Sequence, residues 1–198
     1  GWDGRVVIAR AALVALAAAL ADEYIVADGI VVAGHSEGAV VASRLLAESA
    51  ADSADVAGLV LLSGPSIGIL GIMREQLPLF TAPEQLDEAV ANLNEAIELI
   101  MRGEPIPPEL GARPGVQGLY GTGAIGWSYL SDCERTNPAE VASRVRQPTL
   151  VIQGGRDTSV SAHHADALVA AREGQGTRKL FFPELSHMYK EVPVGTDA

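Results

Sequence analysis

The chain has 198 residues, of which 48% are hydrophobic and 20% charged, and a net charge of −11. This is enough apolar material for one domain with a sizeable core, which excludes wholesale disorder. The acidic balance repels phosphate backbones and excludes nucleic acid as an expected partner.

Residues 4–22 read as a helix. Within it, residues 11–21 are apolar and follow Arg5 and Arg10, a pattern that a signal peptide shares. The helix is too short to span a bilayer, and alanine and leucine are the best helix formers. The expectation is therefore a core-packed helix in a protein of the cytoplasm with no membrane partner. Ala27-Asp28-Gly29 reads as a turn. Ile30-Val31-Val32-Ala33 reads as a short strand, buried on both faces as in a parallel sheet. A helix follows over 38–49.

A second buried strand lies in Ala57-Gly58-Leu59-Val60-Leu61-Leu62 and ends in a turn at Ser63-Gly64-Pro65. Leu86, Val90, Leu93, Ile97 and Ile100 recur at spacings of three and four, which predicts an amphipathic helix over 83–102. Gly103-Glu104-Pro105-Ile106-Pro107-Pro108 stops it, and the glycine-rich run 111–127 predicts no definite element. Asn137-Pro138 opens a short helix with proline in its first turn. Pro148-Thr149-Leu150-Val151-Ile152-Gln153-Gly154 is a third strand, 161–172 a helix, and Lys179-Leu180-Phe181-Phe182 a fourth strand. This alternation predicts an α/β fold, a mostly parallel sheet with helices on both faces. The core would comprise 1–65 and 137–198. The insert 66–136, longer than a simple crossover needs, would form a helical cap over one end of the sheet.

Gly34-His35-Ser36-Glu37-Gly38 matches Gly-x-Ser-x-Gly between a strand and a helix, the setting that gives the motif meaning. A sharp strand-to-helix turn leaves the serine hydroxyl exposed on a strained backbone. Glycines on either side are expected to remove Cβ atoms that would clash. The helix N-terminus favours developing negative charge, so the Glu37 backbone N–H is the expected first oxyanion-hole donor. A serine hydroxyl needs a base, and the expected chain order is serine, acid, histidine. Asp157 follows the third strand and His187 the fourth, at the strand ends where α/β sheets carry functional groups. Ser36 would then be the nucleophile, His187 the proton carrier, and Asp157 the group that fixes the histidine tautomer.

The competitors read differently. His35 lies within the elbow and is assigned to substrate binding, packed beside the site. His163 and His164 fall in a helix at solvated or capping positions, on different faces, and make a poor metal pair. Asp166 reads as surface charge, and Asp132 and Glu134 belong to the cap. The Glu37 side chain would point aside, toward His187 or the cap. The single cysteine, Cys133, excludes an intramolecular disulfide and a cysteine-based zinc cluster and reads as a small packed hydrophobe. No phosphate-binding loop, dinucleotide fingerprint or metal-ligand helix occurs, so neither a metal nor another cofactor is expected.

Three blocks carry a family resemblance: the elbow Val31-Val32-Ala33-Gly34-His35-Ser36-Glu37-Gly38, the segment from Pro148 to Gly154-Gly155-Arg156-Asp157, and Leu185-Ser186-His187-Met188-Tyr189-Lys190-Glu191-Val192-Pro193. They resemble the α/β-hydrolase superfamily, and more narrowly its bacterial esterase-like serine hydrolases, over nearly all of residues 4–193. The resemblance implies ester hydrolysis through an acyl-enzyme, a small-molecule ester as partner, and no cofactor. A thioesterase, a peptidase, or a small-molecule-binding fragment without turnover remain alternatives on the same fold. The family carries several strands ahead of the first helix, including the loop with the second oxyanion donor, and a helix after the histidine. Neither is seen here, so the chain reads as a fragment.

Overall fold

The computed structural model describes residues 2–20, 29–48 and 56–192. The expected turn at residues 27–29 and the last residues of the first predicted helix lie largely outside them. The chain divides into two compact units, one built on Gly68–Thr136 and the other on Asp3–Ile67 with Asn137–Ala198.

The larger unit is a parallel sheet of four strands in the order β1 (Ile30–His35), β2 (Val56–Leu62), β3 (Thr149–Gly154), β4 (Thr177–Phe182). Strand neighbours in sequence are neighbours in space, so every connection is a crossover, as parallel pairing demands. Helix α2 (Glu37–Glu48) links β1 to β2, and α9 (Ala162–Ala171) links β3 to β4. The row Leu59, Leu61, Thr149 and Val151 faces the core, and Leu45, Leu46, Ala142, Val145, Ala165 and Leu168 close over it. Helix α8 (Pro138–Ser143) belongs to this layer. Its Pro138 sits at the first position and the Asn137 side chain accepts the Glu140 N–H at 3.1 Å, a cap legible in the sequence.

Two expectations fail in instructive ways. Strand β1 is not buried on both faces: Val31 is 59% exposed and Ala33 is exposed too. Among the described residues β1 pairs with β2 alone, and valine content reports a fit to pleated backbone, not the number of neighbours. Helix α1 (Trp2–Leu20) is apolar around most of its circumference, yet in the large unit only a narrow stripe (Val6, Ala9, Leu13, Ala17) is buried or partly buried. Val7, Ile8, Val14 and Leu16 are exposed. Among the described residues no helix is long and apolar enough to cross a membrane.

The smaller unit is helical: α3 (Ile69–Phe80), a 3-10 turn (Pro83–Gln85), α4 (Leu86–Met101), α5 (Pro108–Gly111), α6 (Gln117–Gly121) and α7 (Gly123–Glu134). The predicted helix over 83–102 thus begins as a 3-10 turn at Pro83, and the glycine-rich run holds the short helices that composition hid. Its core joins Leu70 and Leu77 to Leu93, Ile97 and Ile100 of α4 and to Leu110, Leu119 and Leu130. Glu134, read from sequence simply as a cap acid, accepts the Leu70 N–H at 2.9 Å and so satisfies the start of α3. Cys133 is buried in α7.

Arg172, at the C-terminus of α9, is a fully buried cation. Its guanidinium donates to the carbonyls of Ala142, Val145 (2.8 Å) and Gln147 (2.9 Å) and to the Thr177 hydroxyl (3.1 Å). Burial pushes its pKa down from the usual arginine value. The planar fork joins the end of α8, the approach to β3 and the start of β4 in one group of donors. Replacing it leaves three carbonyls short of partners at roughly 1–3 kcal/mol each. Arg172→Met should therefore lower unfolding free energy by about 3 kcal/mol or more, read as a fall in the urea midpoint at unchanged slope. A shift under about 0.5 kcal/mol would remove this role.

Candidate active site

The elbow follows β1 directly. Ser36 has φ +54°, a left-handed backbone that a non-glycine residue adopts at a cost. The strain is held by the Ser36 N–H donating to Leu62 O at 2.8 Å and by the Ala39 N–H returning to Ser36 O at 3.0 Å. A Cβ on Gly34 would lie 2.2 Å from Gly38 O and 2.7 Å from Ala39 Cα, so the close crossing of strand end and helix start excludes any side chain there. Gly38 differs from the expectation: a Cβ on it meets nothing within 4 Å. Only one of the two flanking glycines is thus required by this turn's packing. Gly34→Ala should cost about 3 kcal/mol or more through backbone collision. Gly38→Ala should cost nothing, and could gain about 0.5–1 kcal/mol as alanine replaces glycine in α2. Thermal unfolding of the two variants checks this, and equal losses would contradict it.

Asp157 lies three residues past β3, in a loop that makes it an acceptor of many donors. Its side chain is fully buried. Oδ1 accepts the backbone N–H groups of Ser159 (2.9 Å) and Val160 (2.8 Å), and Oδ2 accepts Gln153 Nε2 at 3.2 Å. His187 Nδ1 lies 3.0 Å from Oδ1 and 2.9 Å from Oδ2. A carboxylate only accepts, so Nδ1 carries the ring proton and Nε2 of the neutral ring is left as the acceptor. Burial pushes the Asp157 carboxyl up, but hydrogen bonds from His187, the Val160 N–H and Ser63, with the attraction of His187, outweigh it and hold it below the ordinary range.

His187 is displayed by a tight loop after β4. Leu185 and Glu191 form an antiparallel bridge, with Ser186 N donating to Lys190 O at 2.9 Å. This loop lies on the one carrying Asp157: Gly155 N donates to Phe182 O at 2.8 Å and Arg156 N to Leu185 O at 2.9 Å. A Cβ on Gly154 would sit 2.3 Å from Leu185 O, so glycine permits the approach that lets the acid reach the base.

His35 is half-buried, and its Nε2 donates to His187 O at 2.8 Å, with ring centroids 4.7 Å apart. The residue before Ser36 is thereby tied to the main chain of His187. The Glu37 side chain turns away from His187 and pairs with Arg5 at 2.7 Å on the surface, while its backbone opens α2. The geometry therefore joins Asp157 to His187 and His187 to the elbow through His35.

The remaining histidines divide. His163 is exposed, but His164 is fully buried, with Nδ1 2.8 Å from Ser66 Oγ, not solvated as expected. Their rings lie 4.1 Å apart and not on opposed faces, because adjacent side chains at a helix start can lean together. Asp166 pairs with Lys179, and Asp132 is exposed.

Sequence reasoning missed Gln153, Ser63 and Tyr189. A fully buried glutamine inside an otherwise apolar strand, four residues ahead of Asp157, was the available signal for the first. Ser63 directly follows β2, and Tyr189 stands two residues past His187.

Residues 2–193 match the alpha/beta hydrolase family. Esterase EstD of Thermotoga maritima is 26% identical over 162 residues, which cover 80% of this chain and 35% of EstD. Among solved structures, Est1E from Butyrivibrio proteoclasticus superposes with a TM-score of 0.50 at 14% identity, covering 89% of this chain and 60% of that one. An esterase of Pyrococcus furiosus gives a TM-score of 0.49 at 16% identity, covering 87% and 51%. The chain spans about a third of the length of EstD and about half to three-fifths of these two structures. The likeness to Est1E is one of fold.

Proposed function

The chain belongs to the alpha/beta hydrolase family, and we propose that within it the protein is a serine hydrolase that cleaves small carboxylic esters through an acyl-enzyme. The observation that carries this reading is the hydrogen bond from His187 Nδ1 to the buried Asp157 carboxylate, at 2.9 Å. It leaves Nε2 as a base on a loop tied to the strained elbow. The esterase name of EstD agrees with it.

In this reading the Ser36 hydroxyl attacks the acyl carbon while His187 Nε2 takes its proton. The Glu37 N–H, at the start of α2, donates to the oxyanion that forms. Collapse of the tetrahedral species expels the alcohol, which leaves with the proton held on His187. Water then repeats the sequence on the acyl-serine. Asp157 stays charged throughout, fixes the tautomer and stabilises the imidazolium. His35 steadies the His187 main chain from beside the acyl site.

A fluorophosphonate probe incubated with the folded chain should modify Ser36, found by peptide mass spectrometry, and Ser36→Ala should abolish the adduct. Ester turnover in that variant should fall by about 10⁴-fold or more with its circular dichroism unchanged. A folded chain whose Ser36 takes no probe would overturn the reading.

A further inference from the structure

We propose that Tyr189 is a positioning residue for His187, its phenol pinning the histidine loop to the strand that leads into Asp157; this rests on the ester-hydrolase reading above. The loop that displays His187 is a tight turn, with the Tyr189 N–H returning to Ser186 O at 2.9 Å. His187 and Met188 stand at its tip, outside any helix or strand. Tyr189 closes the turn with a left-handed backbone, φ +54°. That conformation is costly for a bulky side chain, and such cost persists where surrounding structure enforces it.

The side chain reaches back to the sheet. Its hydroxyl donates to Ile152 O at 2.8 Å, which leaves its oxygen to accept from the Ser63 hydroxyl, 3.1 Å away. Ile152 lies on β3, and Asp157 follows on the loop that continues this strand. The histidine loop is therefore held to one piece of chain at two points, Tyr189 to Ile152 and His187 Nδ1 to Asp157. One hydrogen bond fixes a distance and leaves rotation about it. The second removes that freedom, so His187 Nε2 keeps one direction relative to the elbow. His35 of β1 supports the same turn, donating to His187 O and meeting the Tyr189 ring edge to face with centroids 6.1 Å apart.

Ile152 O also accepts the Ser63 N–H at 2.9 Å. A carbonyl oxygen has two lone pairs, so without the phenol it still has a main-chain partner. Losing the Tyr189 hydroxyl thus loosens the histidine loop and leaves the sheet paired. Burial pushes the phenol's pKa up, and the negative charge of Asp157 adds to this, so Tyr189 stays a donor at neutral pH. The titratable groups near the phenol are Asp157, on the loop after β3, and His35, on β1, with His187 on its own loop.

The test starts from Tyr189→Phe, which keeps the ring and removes the donor. On the folded chain, kcat for a p-nitrophenyl ester should fall about 10–100-fold, with KM changed less than about twofold. The NMR resonance of the His187 Nδ1 proton, which the bond to Asp157 should place at low field, should move upfield or broaden. This readout needs no turnover. A ring-fluorinated tyrosine at the same position keeps the hydroxyl but ionises at lower pH than tyrosine. Near neutrality it should restore the kcat that phenylalanine loses, and it should lose it again along an alkaline limb displaced to lower pH than any in the wild type. That arm decides the matter if Tyr189→Phe does not fold. A Tyr189→Phe chain that is merely less stable, with kcat and the resonance unmoved, would overturn the proposal, as would a fluorinated chain without the displaced limb. A wild-type chain that cleaves no ester, while Tyr189→Phe still shifts the resonance, would sink the hydrolase reading and uphold the pin.

Discussion

A carboxylate with no exposed side-chain surface is the constraint on which the site depends. Taking such a charge out of water costs several kcal/mol unless donors replace the lost hydration. Asp157 is supplied by two backbone amides, an amide side chain and an imidazole. These come from β3, the loop after β3 and the loop after β4, so one anion fixes the relative positions of three segments. The family fold places strand ends on one edge of a parallel sheet, and the buried charge fixes how those ends meet.

Much of the unusual local structure follows from that meeting. Gly154 has no room for a side chain because the His187 loop lies on its backbone. Gly34 has none because α2 turns back on β1 within a few residues. The left-handed backbones of Ser36, Ser63 and Tyr189 lie at the same edge. Arg172 is the structural counterpart on the other side of the unit: a buried cation compensated by carbonyls. It joins the end of α8 to the strands that carry the acid and the histidine.

The sequence disclosed what short-range chemistry dictates. Gly-x-Ser-x-Gly between an apolar run and a helix is a local pattern, and an acid and a histidine each just beyond a strand are local too. What it hid depends on pairing. That β1 pairs with β2 alone among the described residues is a property of its neighbours, and Val31 looks the same in either setting. That Gly34 is obligatory and Gly38 is not depends on the angle at which α2 leaves the strand. Ser63, Gln153 and Tyr189 are ordinary residues until the register of β2, β3 and β4 sets their polar atoms around Asp157. His164 read as solvated because its partner Ser66 lies 98 residues away. The short helices of 108–134 were hidden because glycine at helix ends and glycine in loops look alike in composition.

The measurement that bears most directly on the buried charge is unfolding free energy against pH for the wild-type chain and Asp157→Asn. Donors hold the native Asp157 pKa below its ordinary value of about 3.9. A depressed native pKa contributes stability that is fully present above the unfolded value and is lost as pH falls through the native one. The wild-type advantage over Asp157→Asn should therefore be full near neutrality and narrow progressively below about pH 4. A gap that stays constant across that window would mean that Asp157 is not held as a charged, hydrogen-bonded partner of His187.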